Sequence, residues 1–209
     1  MKISFISFGE NKQVTQVILL AAGLSNRFGA PNKLLHLIDG KSIFQHTLSN
    51  LHQAKLGKII IVTGLDRDKI IEQIPHYISY QEVFNSSYKS GMTSSIQAAV
   101  KASPSHASGY MICLADQIKI KPQTYFSISL AYENLYLANH QTILVPSYQN
   151  QNANPVILAA NYKEDILQLK TSNGCKPIVL ENEQHIHTLA IDDSGLKYDI
   201  DTVEDLEEI

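Results

Sequence analysis

Uninterrupted apolar runs that end in turn residues are the feature that most constrains how this chain can fold. Residues 17–22 (VILLAA) form such a run, which stops at Gly23, and residues 59–62 and 110–114 form two more. Runs of this kind are typical of strands in a parallel sheet that is covered on both faces. Residues 143–145 and 156–158 are weaker strand candidates. Helix-like patterns lie between the runs, at residues 43–54, 66–74, 94–102 and 124–136.

Strand and helix patterns therefore alternate along the chain. This alternation predicts an α/β fold with a doubly wound, mostly parallel central sheet in three α/β/α layers. In such sheets, ligands bind beyond the carboxyl ends of the strands. The residues that directly follow each apolar run are therefore the candidates for chemistry.

Charge and apolar content limit the classes of partner. The 209 residues include 17 Lys and Arg against 20 Asp and Glu, a formal net charge of −3. This balance provides no overall cationic field, so we expect neither nucleic acid nor a membrane surface as a partner. No stretch approaches the roughly 20 apolar residues of a membrane span. We expect a cytoplasmic protein with one domain over residues 13–209, preceded by an extension, residues 1–12, of unclear role.

The loop after the first run has the composition of a phosphate-binding turn. Gly23 and Gly29 would let the backbone approach an anion, and Arg27 and Lys33 add two cations. The pattern is neither the dinucleotide fingerprint G-x-G-x-x-G nor a P-loop. A plain strand-to-helix loop with solvated charges is the alternative interpretation.

Two aspartates suggest a divalent cation. Asp116 follows a buried run, where an unpaired carboxylate would be costly, so its partner is expected to be magnesium or a nearby Lys or Arg. Asp201 lies in a predicted short strand over residues 198–201. Magnesium prefers one or two carboxylates together with phosphate oxygens and water. Asp199 is a second, lower-ranked candidate. Asp201 could instead cap the C-terminal helix, although Thr202 is a rival for that cap.

A run of hydroxyl residues precedes the helix pattern at residues 94–102. Thr93 or Ser94 is a good candidate for its N-cap, while neutral donors and acceptors such as Ser94 and Ser95 also suit the edge of a pyrimidine base. Both roles can coexist within this run.

Six segments together carry a family resemblance. The first, LAAGLSNRFGAPNKLL, closely resembles the glycine-loop signature of MobA-like nucleotidyltransferases, which have a Rossmann-like nucleotidyltransferase fold. Ala22 before Gly23 and Asn32 before Lys33 look more like the MocA-type cytidylyltransferase branch than the guanylyltransferase branch. The other five segments occur in family order: NSSYKSGMTSSI, LADQ, NPV, NGCK and DIDTVEDL.

The resemblance implies CTP as the nucleotide, a molybdopterin-type molybdenum cofactor as the acceptor, and Mg²⁺, with Mn²⁺ as a possible substitute. It implies catalytic roles for Arg27, Lys33 and Asp116, and a metal site at Asp116 and Asp201. A transient contact with a recipient molybdoenzyme would follow. The implied nucleotide-binding residues are Ala21, Ala22, Gly23, Ser25, Arg27, Gly29, Lys33, Ser94, Ser95 and Asp116.

On the acceptor side, the resemblance points to Asn154, Pro155 and Lys176. This side also departs from the family pattern, since Asn173 replaces an Asp and Lys176 replaces an Arg. Other readings therefore stay open: the same chemistry with GTP, a sugar or polyol phosphate as acceptor, or an accessory protein that binds the cofactor without catalysis. A nicotinamide-dependent oxidoreductase is disfavoured, because the loop lacks the third glycine and carries two cations.

Overall fold

The computed structural model describes residues 14–25, 28 and 32–208 of the chain. The predicted extension, residues 1–12, and the loop residues Arg27 and Gly29 lie outside this part. The strands are β1 (Val14–Ala21), β2 (Leu37–Ile38), β3 (Lys41–Ser42), β4 (Ile59–Thr63), β5 (Tyr80–Phe84), β6 (Ala107–Leu114), β7 (Ile143–Tyr148), β8 (Gln151–Asn152), β9 (Val156–Ala159) and β10 (Ile186–Ala190). The α-helices are α1 (Ile43–Gln53), α2 (Arg67–Glu72), α3 (Met92–Ala102), α4 (Pro122–Ala138), α5 (Lys163–Gln168) and α6 (Lys176–Glu181).

The predicted sheet is confirmed as a mostly parallel one, in the order β10-β7-β9-β6-β1-β4-β5. β1 pairs in parallel with both β4 and β6, whereas β9 runs antiparallel to β6 and β7, and the short β8 pairs antiparallel with β7. Helices α1 and α4 contact each other, and so do α3 and α5. The right-handed crossovers through α1 and α3 carry the chain in opposite directions along the sheet, which places these helices on opposite faces.

The central strands are apolar on both sides because both of their faces are covered. β4 (IIIVT) is buried at every position, and β6 is buried from Ala107 to Cys113. The edge strands β5 and β10 are mixed in polarity and half-exposed, which is why they carry no apolar run that predicts them. In the part of the chain that the structure describes, no helix is both long and apolar enough to span a membrane.

The C-terminal segment differs from the prediction. Residues 198–201 do not form a strand; they are an extended connection between two short 3₁₀ helices, Ser194–Lys197 and Glu204–Glu208. Its backbone bonds to the loop that follows β6, where the Ile200 amide donates to the Asp116 carbonyl over 3.3 Å. This contact brings Asp201 to the carboxyl end of β6 without a further strand.

Candidate active site

A cavity of about 410 Å³ opens at the carboxyl ends of β1 and β6. Because these strands are parallel neighbours, the loops that follow them meet at one edge of the sheet, as predicted for a ligand site. The lining residues are Leu20, Ala22, Gly23, Leu24, Ser25, Lys33, Leu34, Tyr88, Lys89, Gly91, Met92, Ser95, Leu114, Ala115, Asp116, Asp199 and Asp201.

The glycine loop presents Lys33 through a short hydrogen-bonded turn. The Asn32 side chain caps the 3₁₀ helix Lys33–Leu35 by accepting from the Leu34 amide. Ser25, in a left-handed conformation with φ of 54°, donates its hydroxyl to Asn32 Oδ1 and accepts from the Lys33 amide, both at 3.2 Å. Ser25, predicted as a nucleotide ligand, therefore also fixes the start of the lysine turn.

Lys33 joins three segments at the mouth of this cavity. Its Nζ lies 2.7 Å from Asp116 Oδ2 and 3.1 Å from Asp201 Oδ1, and it donates to the Ile200 carbonyl over 2.6 Å. Burial by itself would lower the pKa of Lys33, but the Asp116 and Asp201 carboxylates outweigh it and raise that pKa above its ordinary value. The ammonium is therefore charged and held between the two aspartates.

Asp116 sits on a loop that α1 anchors from one side of the sheet. Thr47 and Asn50 of α1 donate their side chains to the carbonyls of Ala115 and Ile118, at 3.0 and 2.9 Å. These bonds satisfy backbone carbonyls on either side of Asp116 and hold the backbone of its loop in place.

Asp201 is oriented by a carboxylate that the sequence analysis missed. Asp205 accepts from the backbone amides of Asp201 and Thr202, at 2.8 and 2.7 Å. The side chain that bonds backbone amides before the C-terminal helix is therefore Asp205, where we expected Asp201 or Thr202. The Asp201 carboxylate itself contacts Lys33. Asp199 lines the same cavity, and burial together with Asp201 and Asp116 raises the pKa of its carboxyl group.

The two aspartates fit a divalent cation. Oδ1 of Asp116 is buried and has no hydrogen-bond partner among the described residues, so this lone-pair oxygen is left for a ligand. Asp116 Oδ2 and Asp201 Oδ1 both contact Lys33 Nζ, so the distance between these two oxygens is at most the sum of their distances to Nζ. No group of three or more His, Cys, Asp or Glu side chains that could hold a metal occurs in residues 14–25, 28 and 32–208. The donor set suits Mg²⁺ or Mn²⁺, which complete their coordination with phosphate and water.

The opposite wall comes from the start of α3. Gly91 is the N-cap of this helix, so the expectation that Thr93 or Ser94 caps it is wrong. The Ser94 hydroxyl donates to the carbonyls of Ser87 and Gly91 instead, because it already lies in the first turn. Ser95 is buried, lines the cavity and accepts from the Asn85 amide over 3.0 Å.

The floor is made by the residues directly after β1. Ala22 and Gly23 line the cavity, whereas Ala21 is fully buried beneath them. A Cβ on Gly23 would meet nothing within 4 Å, so glycine here leaves open space beside the backbone. Gly64 is packed so closely that a Cβ on it would collide with both Ala22 and Tyr88. Further lining residues that were not predicted are Tyr88, Lys89 and Met92. They lie in the segment NSSYKSGMTSSI, which carries part of the family resemblance.

The predicted acceptor residues do not line this cavity. Asn154 is half-buried and forms a cis peptide with buried Pro155, and Lys176 is exposed at the start of α6. The loop before Lys176 does contact α3, since the Gly174 amide donates to Thr93 Oγ1 over 3.0 Å. The structure thus places the NGCK segment beside the first turn of α3.

Comparisons with known proteins agree with this geometry. Residues 17–186 match the MobA-like NTP transferase domain. A protein of Thermococcus sibiricus named "Probable molybdenum cofactor guanylyltransferase" is 28% identical over 153 residues, which cover 73% of this chain and 70% of that protein.

Solved structures share the fold. Rv0371c from Mycobacterium tuberculosis H37Rv superposes with a TM-score of 0.76 at 23% identity, covering 94% of this chain and 97% of that one. A complex of Rv0371c with manganese also matches, with a TM-score of 0.71 at 20% identity, covering 94% of this chain and 97% of that one. A CMP:2-keto-3-deoxy-manno-octonic acid synthetase complexed with CTP has a TM-score of 0.70 at 13% identity, covering 94% of this chain and 96% of that one.

Proposed function

The chain belongs to the MobA-like NTP transferase family and is a nucleotidyltransferase, and we propose that it transfers CMP from CTP to the phosphate of a molybdopterin-type molybdenum cofactor. One observation carries the placement of this reaction: Lys33, Asp116 and Asp201 come from three distant segments and meet at one cavity beside the glycine loop.

In the proposed reaction, a phosphate oxygen of the acceptor attacks the α-phosphorus of the triphosphate. A new P–O bond forms, the bond between the α-phosphorus and the bridging oxygen breaks, and pyrophosphate leaves with that electron pair. The acceptor phosphate is already ionised at neutral pH, so no general base is needed. Catalysis then rests on positioning and on neutralising charge.

Lys33 would stabilise the charge that develops at the α-phosphate. Gly23 and Ser25 would meet the nucleotide along the floor, and Arg27 and Gly29, by the family resemblance, would hold the β- and γ-phosphates. Asp116 and Asp201 would hold Mg²⁺ or Mn²⁺, which neutralises phosphate charge when bound. Because the Lys33 ammonium now lies between these carboxylates, it would exchange them for phosphate oxygens when nucleotide and metal bind.

The floor of the cavity supports a pyrimidine donor. Ala22 lines this floor, and by the family resemblance an alanine before Gly23 is typical of the cytidylyltransferase branch, where a second glycine would leave more room for a larger base. The hydroxyl of Ser95, on the opposite wall, offers a polar contact to the base edge. GTP is the second candidate, favoured by the name of the Thermococcus sibiricus relative.

That relative's name also supports a molybdenum cofactor as the acceptor, while Asn154, Pro155 and Lys176 remain proposed acceptor residues. A sugar or polyol phosphate would use the same chemistry. Handing the product to a recipient molybdoenzyme would involve a transient contact.

The test is a pyrophosphate-release assay with each of the four ribonucleoside triphosphates, with and without molybdopterin-type cofactor, in Mg²⁺ and in Mn²⁺. The proposal expects turnover with CTP that requires both the metal and the cofactor. Turnover with GTP alone would overturn the choice of donor, and turnover with a sugar or polyol phosphate but not with the cofactor would overturn the choice of acceptor.

A further inference from the structure

A buried aspartate, Asp193, lies outside the cavity lining. Asp193 is 3% exposed. Its Oδ2 accepts from the Lys121 amide at 3.0 Å and from the Thr124 hydroxyl at 2.6 Å, and its Oδ1 accepts from the Gly195 amide at 3.1 Å. This one carboxylate therefore accepts hydrogen bonds from the segment around residues 121–124 and from its own segment, about 70 residues later in the sequence.

One of these segments is the start of α4. The N-cap residue of α4, Lys121, makes no side-chain capping bond of its own. Asp193 supplies that function from a distance, because its carboxylate accepts from a free amide at the helix N-terminus and complements the helix dipole there. Lys121 lies five residues after Asp116, so this bond fixes the far end of the loop that carries Asp116.

The other segment leads directly to Asp201. Asp193 caps the 3₁₀ helix Ser194–Lys197 through the Gly195 amide. Gly195 packs so closely on the Asp116 loop that a Cβ would collide with the Lys119 carbonyl. The chain then continues through Ile200, whose amide bonds to the Asp116 carbonyl, to Asp201.

We propose that Asp193 is a positioning residue that sets the spacing of Asp116 and Asp201 by joining the two segments that carry them. Asp193 does not line the cavity, so it would act through the loops rather than by contact with nucleotide or metal. This inference rests on the proposed function, in which both aspartates hold a divalent cation. Groups that orient metal ligands in this way typically change metal affinity or activity by about 10- to 100-fold when they are replaced.

The experiment compares Asp193→Asn with the wild type. The amide has one acceptor oxygen, so it can accept either from Gly195 or from Lys121 and Thr124, but it cannot join the two segments as the carboxylate does. A control, Asp192→Asn, removes the same charge from the exposed neighbouring residue. Thr124→Val is a milder second variant that deletes only the 2.6 Å bond, in case Asp193→Asn does not fold.

The primary measurement is the affinity for Mn²⁺ in the presence of CTP, determined from the EPR signal of free Mn²⁺. Circular dichroism gives the folded fraction of each variant. For Asp193→Asn we expect affinity per folded molecule to fall by about 10-fold or more, and for Thr124→Val by a smaller factor, with Asp192→Asn unchanged. In turnover, kcat should fall more than the KM for CTP rises.

A purely structural role predicts a different pattern. Both Asp193→Asn and Thr124→Val would then lower the melting temperature but leave Mn²⁺ affinity and kcat per folded molecule at wild-type values, and that result overturns the proposal. Absence of turnover with any triphosphate in the wild type would overturn the proposed function instead, while the Mn²⁺ comparison still decides the role of Asp193.

Discussion

Replacing Lys33 with methionine should have opposite effects on stability and on metal affinity. The Lys33 side chain is 12% exposed, and its ammonium contacts two carboxylates within 3.1 Å. Removing one partner of a buried ion pair costs about 3–5 kcal/mol, because the remaining charge is left uncompensated. Asp116 and Asp201 retain some solvent contact, with 16% and 28% of their side chains exposed. We therefore expect the free energy of unfolding to fall by about 3 kcal/mol, at the low end of that range.

The same change frees both carboxylates for a cation. In the nucleotide-free protein, Lys33 competes with any divalent ion for Asp116 and Asp201, so Lys33→Met should bind Mn²⁺ more tightly than the wild type by at least about 10-fold, or 1.4 kcal/mol. Saturating Mn²⁺ should then raise the melting temperature of the variant more than that of the wild type. Turnover should nevertheless fall by about 10²–10³-fold, since one group that stabilises the transition-state charge is lost.

Urea denaturation with and without Mn²⁺, EPR titration and pyrophosphate release measure these three quantities. Lys69→Met is the matched control, because Lys69 pairs with Asp66 on the surface and its loss should cost less than about 1 kcal/mol. Unchanged Mn²⁺ affinity in Lys33→Met, or turnover near the wild-type rate, would refute the reasoning.

Three further substitutions probe other parts of the molecule. Ala22→Gly enlarges the floor of the cavity and should shift the ratio of kcat/KM for GTP over CTP upward by about 10-fold, in the range that one methyl group provides; an unchanged ratio would contradict the size argument. Gly195→Ala should lower the free energy of unfolding by about 3 kcal/mol through overpacking against the Lys119 carbonyl, measured by urea denaturation, and a neutral result would contradict the close packing. The hydrogen bond from Arg67 holds the pKa of Glu82 below its ordinary value of 4.5, so this pair stabilises the fold above that value and loses its contribution as the pH falls through the lowered pKa. We therefore expect the free energy of unfolding of Glu82→Gln to fall less steeply than that of the wild type as the pH is lowered from neutral. An equally steep fall would show that this pair does not contribute to the loss of stability in acid.

The core of the fold could be predicted from sequence because its strands are buried on both faces. β4 and β6 contain their predicted apolar runs, and β1 begins three residues before its run and ends one residue short of it. The edge strands β5 and β10 could not be predicted from apolar runs. Glu82 in β5 points to Arg67, and His187 and Thr188 interrupt β10, so neither strand has a continuous apolar signal.

The candidate site was predictable where it follows an apolar run. Asp116 and the glycine loop come directly after β6 and β1, so their approach to one another follows from parallel pairing. Asp201 was expected in a strand but is held by Asp205 and by the Ile200–Asp116 bond, which are contacts of an irregular segment. Asp193 gave no signal, because its donors at Lys121 and Thr124 are set by tertiary packing rather than by local sequence.

The most direct test is the position of the metal and of Lys33 in a crystal of the protein with Mn²⁺ and a non-hydrolysable CTP analogue, read from the anomalous difference map. We predict a manganese peak bonded to Asp116 and Asp201, with the Lys33 Nζ moved from these carboxylates to an α-phosphate oxygen. A nucleotide bound with its metal away from both aspartates, or with Lys33 still paired to them, would contradict the proposed site.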